Sequence, residues 1–86
     1  MSEGTEKEVG IVTNFFDRIS VAGIDLTGPV KVGDTLHFKS ASTDFTQAIE
    51  SMQIERQNIT EAKAGDAIGI RVKEKVKKGD KVFVTS

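Results

Sequence analysis

Three aspartates recur in the same sequence context, and carboxylates are groups that can hold a metal ion. The pattern apolar–Lys–x–Gly–Asp occurs as VKVGD, AKAGD and VKKGD, which end at Asp34, Asp66 and Asp80. A hard cation needs several oxygen ligands that converge on one point. The three carboxylates would form such a site only if the loops that hold them met in the fold.

Each Gly-Asp pair also has a structural interpretation, because it directly precedes a run of β-type residues. The runs are TLHF, AIGI and KVFV. Glycine adopts a positive φ without steric cost, and the aspartate beside it accepts local backbone hydrogen bonds. The pattern therefore favours three structural turns, with outward lysines, over a metal site; the turn residues are Gly33, Asp34, Gly65, Asp66, Gly79 and Asp80.

Positive charge is concentrated in the segment RVKEKVKKGDK, residues 71–81, which has six basic and two acidic residues. A strand that buries Ile68, Ile70 and Val72 turns the alternate residues outward. Such a stripe can follow a phosphate backbone, and counterion release then makes the affinity depend on salt. The predicted RNA-binding residues are Arg71, Lys73, Lys75, Lys77, Lys78 and Lys81, with help from Arg56 and Lys63. The structural alternative is a solvated loop whose lysines protect a strand edge.

Phenylalanine is the only aromatic residue type, since the sequence has no tyrosine and no tryptophan. Binders of single-stranded nucleic acid combine basic grooves with exposed aromatic side chains, so the stacking surface is weak here. The motif NFFDR places Phe15 and Phe16 on opposite faces at a strand end. We expect one of them in the core and the other in a small patch with Ile19. Phe15, Phe16 and Ile19 are therefore candidates for contact with a protein partner.

The residues that catalysis requires are not found together. His37 is the only histidine, and we expect it to face outward beside Lys39. The Thr43–Asp44 pair in the motif STDF is more typical of a turn cap than of a general base. No nucleophile, base and orienting group form a set. The sequence therefore predicts no catalytic site, no metal and no cofactor.

Length and charge set further limits. The 86 residues and 9.3 kDa fit one small domain. Residues 1–50 have four basic and eight acidic side chains, a net −4, and residues 51–86 have eight basic and five acidic ones, a net +3. This asymmetry can indicate an anionic partner on one side. The absence of cysteine, of a secretory signal and of a long apolar run predicts a soluble cytoplasmic protein that does not enter a membrane.

β-type runs alternate with turn signals after a polar beginning. Residues 1–7 are predicted to be a disordered tail and residues 8–86 a single domain. Strands are predicted in EVGIVTNFF, SVAGIDLTG, TLHFK, AIGIRV and KVFVTS. Residues 45–57 are ambiguous, because their apolar positions fit a helix in part and a strand in part. Gly10, Gly23 and Gly69 lie inside predicted strands, as expected where a small barrel bends.

Two stretches resemble the second domain of translational GTPases such as elongation factor Tu. The first is GPVKVGDTLHF, residues 28–38, and the second is IESMQIERQNITEAKAGDAIGIRVK, residues 49–73, which follows the pattern of archaeal-type elongation factors. The similarity extends from Val9 to Thr85, nearly the whole sequence. A similar module also appears attached to the collagenase-like peptidase family of bacteria.

The resemblance implies an all-β fold, a small closed six-stranded antiparallel β-barrel, and it resolves the ambiguous segment toward a strand. Its relatives contact transfer RNA or a neighbouring domain. The phosphate-loop motif G-x-x-x-x-G-K-[ST] is absent, so the sequence predicts no nucleotide binding and no GTP hydrolysis. We therefore expect a non-catalytic module that binds tRNA or rRNA in translation. The alternative is a protein-interaction adaptor that docks on a larger translation factor or a peptidase-like enzyme.

Overall fold

A computed structural model describes residues 6–41 and 43–85, and within these ranges the protein forms strands, turns and loops without a helix. The strands are β1 Glu6–Phe16, β2 Val21–Leu26, β3 Val30–Lys31, β4 Thr35–Lys39, β5 Asp44–Ala48, β6 Met52–Ile54, β7 Gln57–Ile59, β8 Glu61–Ala62, β9 Ala67–Arg71 and β10 Lys81–Thr85. The all-β prediction is confirmed. No helix that could span a membrane occurs in the described part of the protein.

Eight of these strands form one antiparallel sheet in the order β5-β4-β10-β1-β2-β9-β6-β7, and β3 and β8 form a second, two-stranded sheet. The prediction of a closed six-stranded barrel is wrong, because the large sheet has more strands and two open ends, at β5 and β7. Strand β9 pairs with β6 only where Gly69 lies opposite Gln53. The ladder therefore does not continue from β9 round to β5.

The segment that sequence patterns left ambiguous is extended, and the first strand begins within the predicted tail. The ambiguous residues 45–57 contain β5 and β6 and the turn that leads into β7. The predicted polar tail reached Lys7, whereas β1 begins at Glu6, and residues 1–5 lie outside the described ranges. Strand β1 is the longest strand described, with 11 residues, and it pairs with β2 on one side and β10 on the other.

The core follows the alternation of apolar residues along the strands. Leu36 and Phe38 in β4 are 1% and 0% exposed, and Ile68 and Ile70 in β9 are buried in the same way. Phe38 stacks on Phe45 of β5 with ring centroids 5.0 Å apart. Full burial of one such apolar group stabilises the fold by about 2 kcal/mol, so the large sheet is stabilised by its inner face.

The three Gly-Asp motifs lie in turns of one geometry. In each turn the aspartate N–H donates to the C=O of the lysine three residues earlier at 3.0 Å. The aspartate carboxylate accepts from the N–H of the same lysine at 2.8–3.0 Å. The glycines have φ between 94° and 101°, as position i+2 of a type II turn requires. The carboxylates are thus bonded within their own turns, and the described residues contain no cluster that could hold a metal ion.

Each turn also holds one buried residue from elsewhere in the sequence. The glycine N–H donates to the C=O of the buried residue, and the N–H of the buried residue donates to the C=O of the aspartate. The two bonds of each turn, six in all, have lengths between 2.8 and 3.0 Å. The residues held in this way are Ile49, Leu26 and Val12, by the turns that end at Asp34, Asp66 and Asp80. The repeated motif therefore connects distant strands through its backbone.

Gly10 marks a close approach between β1 and β2. A Cβ at this position would lie 2.8 Å from Cγ2 of Ile24 and 2.9 Å from the backbone oxygen of Asp25. The register of β1 against β10 also shifts between Glu8 and Gly10. A larger residue would push β2 away, which explains the glycine inside this strand.

Candidate functional site

Two large apolar side chains are exposed at the connection between β1 and β2. Phe16 is 48% and Ile19 is 55% exposed, whereas Phe15 is half-buried against the core. The N–H of Ile19 donates to the C=O of Phe16 at 3.2 Å, so the two residues belong to one turn. We call Phe16 and Ile19 the apolar tip. Exposed apolar groups that lie together mark sites of association.

Beside the apolar tip lies an open groove of about 880 Å³, which we call the seam groove. It runs where the sheet fails to close, and its lining residues come from the β1–β2 turn, β2, β5, the β5–β6 connection, β6, β9 and the segment after β9. The lining includes Ile19, Val21, Ala48, Met52, Gly69 and Arg71. A volume of this size is typical of ligand-binding sites, which measure about 300–1,000 Å³.

The side chain of Gln47 spans the seam groove. Its Nε2 donates to the C=O of Arg71 at 2.8 Å, and its Oε1 accepts from the N–H of Lys73 at 2.8 Å. Neighbouring strands of a ladder lie about 4.8 Å apart and bond directly through their backbones. Between β5 and β9, the Gln47 side chain makes the connection instead. The edges of β5 and β9 are therefore joined by one amide in place of a ladder.

Positive charge lies along one side of the seam groove. Arg71 and Lys73 both line it and are exposed. Neither of them forms an ion pair with the described residues. Glu50 also lines the groove, so these three side chains have a net charge of +1. An anionic group that entered the groove would be attracted to the side of Arg71 and Lys73.

The other predicted basic residues are distributed over separate elements. Lys75 lies 4.0 Å from Asp17, and Lys81 lies 3.8 Å from Glu8, so nearby carboxylates offset both charges in part. The remaining ones lie in the turn between β6 and β7, in the second Gly-Asp turn and in the third, and they are Arg56, Lys63, Lys77 and Lys78. The basic segment 71–81 therefore presents a less uniform positive surface than its sequence indicates.

His37 has a role that sequence patterns missed. It faces away from the core, as alternation predicts, but its Nδ1 contacts the Glu6 carboxylate and its Nε2 lies 2.5 Å from Oδ1 of Asp44. Hydrogen bonds to Asp44 and Glu6 raise the pKa of His37 above the usual 6.5. The imidazole thus joins β1, β4 and β5 on the outer face of the sheet.

The seam groove was also missed, although one signal for it exists. Phe45, Gln47 and Ile49 share a face by strand alternation, and Phe45 and Ile49 are buried. An amide between two core residues must find hydrogen-bond partners. Nothing in the sequence indicates that these partners are the backbone groups of Arg71 and Lys73.

Comparisons with known proteins connect this fold with peptidases. No family model matches the sequence. The protein is 35% identical over 78 residues, or 90% of its length, to an uncharacterized protease of Methanocaldococcus jannaschii. It is also 32% identical over 77 residues, or 87% of its length, to a collagenase of Porphyromonas gingivalis. The match spans only 19% of the first relative and 21% of the second, about a fifth of each.

Solved structures show the same fold. Two crystal structures of the C-terminal domain of a putative U32 peptidase from Geobacillus thermoleovorans match with TM-scores of 0.84 and 0.83, each at 19% identity. The match covers 88% of this protein in both cases, and 96% and 89% of the two solved domains.

These findings correct the predicted family. The expected likeness to the second domain of elongation factor Tu, together with the expected role in translation and RNA binding, is wrong, because the relatives are a protease and collagenases. The resemblance to a module found on collagenase-like peptidases is the part that the comparisons support. The protein thus has the fold of a domain that ends a putative U32 peptidase.

Proposed function

We propose that this protein is a non-catalytic docking module that binds a larger, peptidase-like protein through its apolar tip. The observation that carries the proposal is the exposure of Phe16 and Ile19 within one turn at the end of the longest described strand. Val32 is the other large hydrophobic side chain that the described residues leave exposed, at 37%. It lies in the first Gly-Asp turn, apart from the apolar tip in the sequence.

The apolar tip is suited to association because it is fixed before a partner arrives. Strands β1 and β2 pair through Phe16 opposite Val21 and Phe15 opposite Ala22, up to the turn itself. A backbone held by such a ladder does not have to become ordered on binding. Aromatic residues that enter a partner's pocket contribute a large share of the affinity of protein interfaces.

The relatives support the choice of a peptidase-like partner. A segment that accounts for about a fifth of a protease accompanies a much larger polypeptide in those proteins. In the Geobacillus protein the corresponding fold is a C-terminal domain. A surface that contacts the rest of such a polypeptide is expected on this module, whether the two parts are joined or separate.

The test uses the Methanocaldococcus relative in two parts. Its polypeptide is produced without the matched 78 residues, and binding of the docking module to that remainder is measured by isothermal titration calorimetry. The excised segment of the same relative serves as the reference ligand. We expect the docking module to bind, and we expect the Phe16→Ser and Ile19→Ser variants each to weaken binding by about tenfold, which corresponds to about 1.4 kcal/mol.

The matched control is Val32→Ser, which removes an exposed apolar side chain outside the apolar tip. It should leave the affinity unchanged. If the reference segment binds the remainder and the docking module does not, the docking proposal is wrong. Equal losses from Phe16→Ser and Val32→Ser would show that the apolar tip is not the contact surface.

A further inference from the structure

The seam groove lies between two strand edges that present backbone groups to it. In β5, residues that bond to β4 alternate with residues whose backbone groups face the other way. The N–H of Ile49 donates to Asp34, and its C=O accepts from Gly33. The alternation therefore turns the backbone groups of Thr46 and Ala48 away from β4, and Ala48 lines the groove.

The opposite edge belongs to β9. Its even-numbered residues bond to the β2 side, because the N–H of Val72 donates to Ser20 at 2.8 Å and the C=O of Asp66 accepts from Leu26 at 2.9 Å. The backbone groups of the odd-numbered residues face away from β2. Gly69 meets Gln53 of β6 in this way, and Arg71 is the next such residue along the edge.

The Gln47 amide occupies this edge as a peptide group would. It bonds to the C=O of Arg71 and to the N–H of Lys73, each at 2.8 Å. In a parallel ladder, one residue of the neighbouring strand makes this same pair of bonds, to the C=O of one residue and the N–H of the residue two positions later. The amide is thus a stand-in for the backbone of an added strand.

We infer that the seam groove binds an extended acidic peptide segment of the partner protein, which enters as an added strand and displaces the Gln47 amide. This inference rests on the proposed docking function and names the chemistry of the segment that is recognised. Addition of a strand to an exposed edge is a common mode of peptide recognition, in which the backbone supplies affinity and alternate side chains supply specificity.

The charge of the groove determines the acidic character of the segment. Arg71 and Lys73 line one side and have no carboxylate partner among the described residues. An Asp or Glu of the segment would pair with them. Glu50 disfavours a second acidic side chain next to itself, so the acidic residue is expected at the side of Arg71 and Lys73.

The apolar part of the groove lining determines which side chains are expected next to the acidic residue of the bound segment. Ile19, half-buried Val21 and buried Met52 all line the groove. Successive side chains of an extended segment point in opposite directions. A segment in which an acidic residue is flanked by apolar residues would therefore place the apolar ones on this lining. Proline in its centre is excluded, because it would remove a backbone donor.

The test begins with a phage-displayed library of random linear peptides, selected on the 86-residue protein. We expect enriched sequences to contain an Asp or Glu next to apolar residues and to lack a central proline. A synthetic peptide of the enriched sequence should bind several-fold more weakly to the Lys73→Glu variant. The Lys78→Glu variant makes the same change in charge outside the groove and should bind as the unchanged protein does.

The Gln47→Ala variant separates strand addition from simple charge attraction. The substitution removes the amide that competes with the peptide for the C=O of Arg71 and the N–H of Lys73. The peptide should therefore bind several-fold more tightly. Unchanged or weaker binding to Gln47→Ala would overturn the displacement. Failure to enrich any sequence, enrichment of basic sequences, or equal effects of Lys73→Glu and Lys78→Glu would overturn the peptide site. Spectra of each variant that match the parent protein establish that its fold is kept.

The two proposals fail in different ways. If calorimetry shows docking to the protease remainder that Phe16→Ser weakens and Lys73→Glu does not, docking stands and the peptide site is wrong. If acidic peptides are selected and depend on Lys73 while the remainder does not bind, the peptide site stands and the proposed partner is wrong. If the protein forms a dimer and the Lys73→Glu substitution makes it dissociate, the seam groove binds a second copy of the protein and the inference is overturned.

Discussion

The Nε2 of Gln47 donates a hydrogen bond to the backbone C=O of Arg71 at 2.8 Å, although the two residues are 24 positions apart in the sequence. Its Oε1 accepts from the N–H of Lys73 at the same distance. A side chain thus joins β5 to β9 at a place where no backbone ladder does. The amide takes the place of a backbone ladder here, and the seam groove lies beside this joint.

Replacement of Gln47 should lower the free energy of unfolding. Gln47→Ala removes two hydrogen bonds of about 1 kcal/mol each, so we expect a loss of about 1–2 kcal/mol in urea unfolding. Gln47→Glu keeps an acceptor for Lys73 but turns a carboxylate toward the Arg71 carbonyl, and it should cost at least as much. Gln53→Ala is the control, because its exposed amide bonds only to the Asn58 side chain, at 3.0 Å. Equal losses at Gln47 and Gln53 would contradict the importance of the joint.

The three Gly-Asp turns should respond unequally to loss of their carboxylates. Asp80 is 3% exposed, whereas Asp34 and Asp66 are only half-buried. Each carboxylate accepts from the lysine N–H of its own turn, and removal of Asp80 leaves that donor in the more buried place. We expect Asp80→Ala to lower the free energy of unfolding by about 2–3 kcal/mol, and Asp34→Ala and Asp66→Ala by about 1 kcal/mol. Thermal and urea unfolding measure these differences. A larger loss at Asp34 or Asp66 than at Asp80 would show that burial does not decide the effect.

His37 should make stability depend on pH. Its contacts with Asp44 and Glu6 raise its pKa in the folded protein. A raised pKa means that the protonated form stabilises the fold at pH values below the ordinary pKa of about 6.5, and that this contribution is lost as the pH rises through the raised pKa. We therefore expect the difference in unfolding free energy between the parent protein and His37→Gln to be largest below about pH 6.5 and to decrease as the pH is raised above it.

The measurement for His37 is a series of urea unfolding curves below and above that pH. Lys39→Gln provides the control, since it alters a charge on the same face of β4 without removing the imidazole. A difference that increased with pH, or that Lys39→Gln reproduced, would show that the contacts of His37 with Glu6 and Asp44 do not stabilise the folded state.

The hairpin turn between β6 and β7 should be easy to stabilise. Glu55 and Arg56 have φ values of 51° and 68°, and a two-residue turn of this kind favours Asn-Gly. The left-handed conformation costs about 1–2 kcal/mol for an ordinary residue. The double change Glu55→Asn, Arg56→Gly should therefore raise the free energy of unfolding by about 1–2 kcal/mol. Arg56→Ala is the control, because it removes the charge and keeps the unfavourable φ. A gain of the same size in Arg56→Ala would attribute the effect to charge.

Strands β1, β2, β4, β9 and β10 could be predicted from the sequence because alternation is a local property. The order of Leu36, His37, Phe38 and Lys39 by itself determines which side chains meet the core. Glycine followed by aspartate in three places predicts turns for the same reason, since the φ of the glycine and the reach of the carboxylate involve adjacent residues.

The number of strands in the sheet and its open seam depend on contacts between distant residues. Whether β9 continues to β5 is decided by the pairing of Gly69 with Gln53 and by the reach of Gln47 to Arg71. Neither contact has a local signature. The same holds for His37, whose partners Glu6 and Asp44 come from two other strands. The family resemblance, carried by residues 28–38 and 49–73, led to the wrong relatives, because similarity of fold does not establish the family or its function.

The central claim, that the protein docks on a peptidase-like partner through the apolar tip and the neighbouring seam groove, is tested most directly by an NMR titration. The isotope-labelled protein is titrated with the remainder of the Methanocaldococcus protease, and the backbone amide signals are followed. The account predicts that the changes concentrate at residues 16–21 and at Thr46, Ala48, Gly69, Arg71 and Lys73. Changes confined to the opposite part of the sheet, around His37 and Phe83, would contradict it.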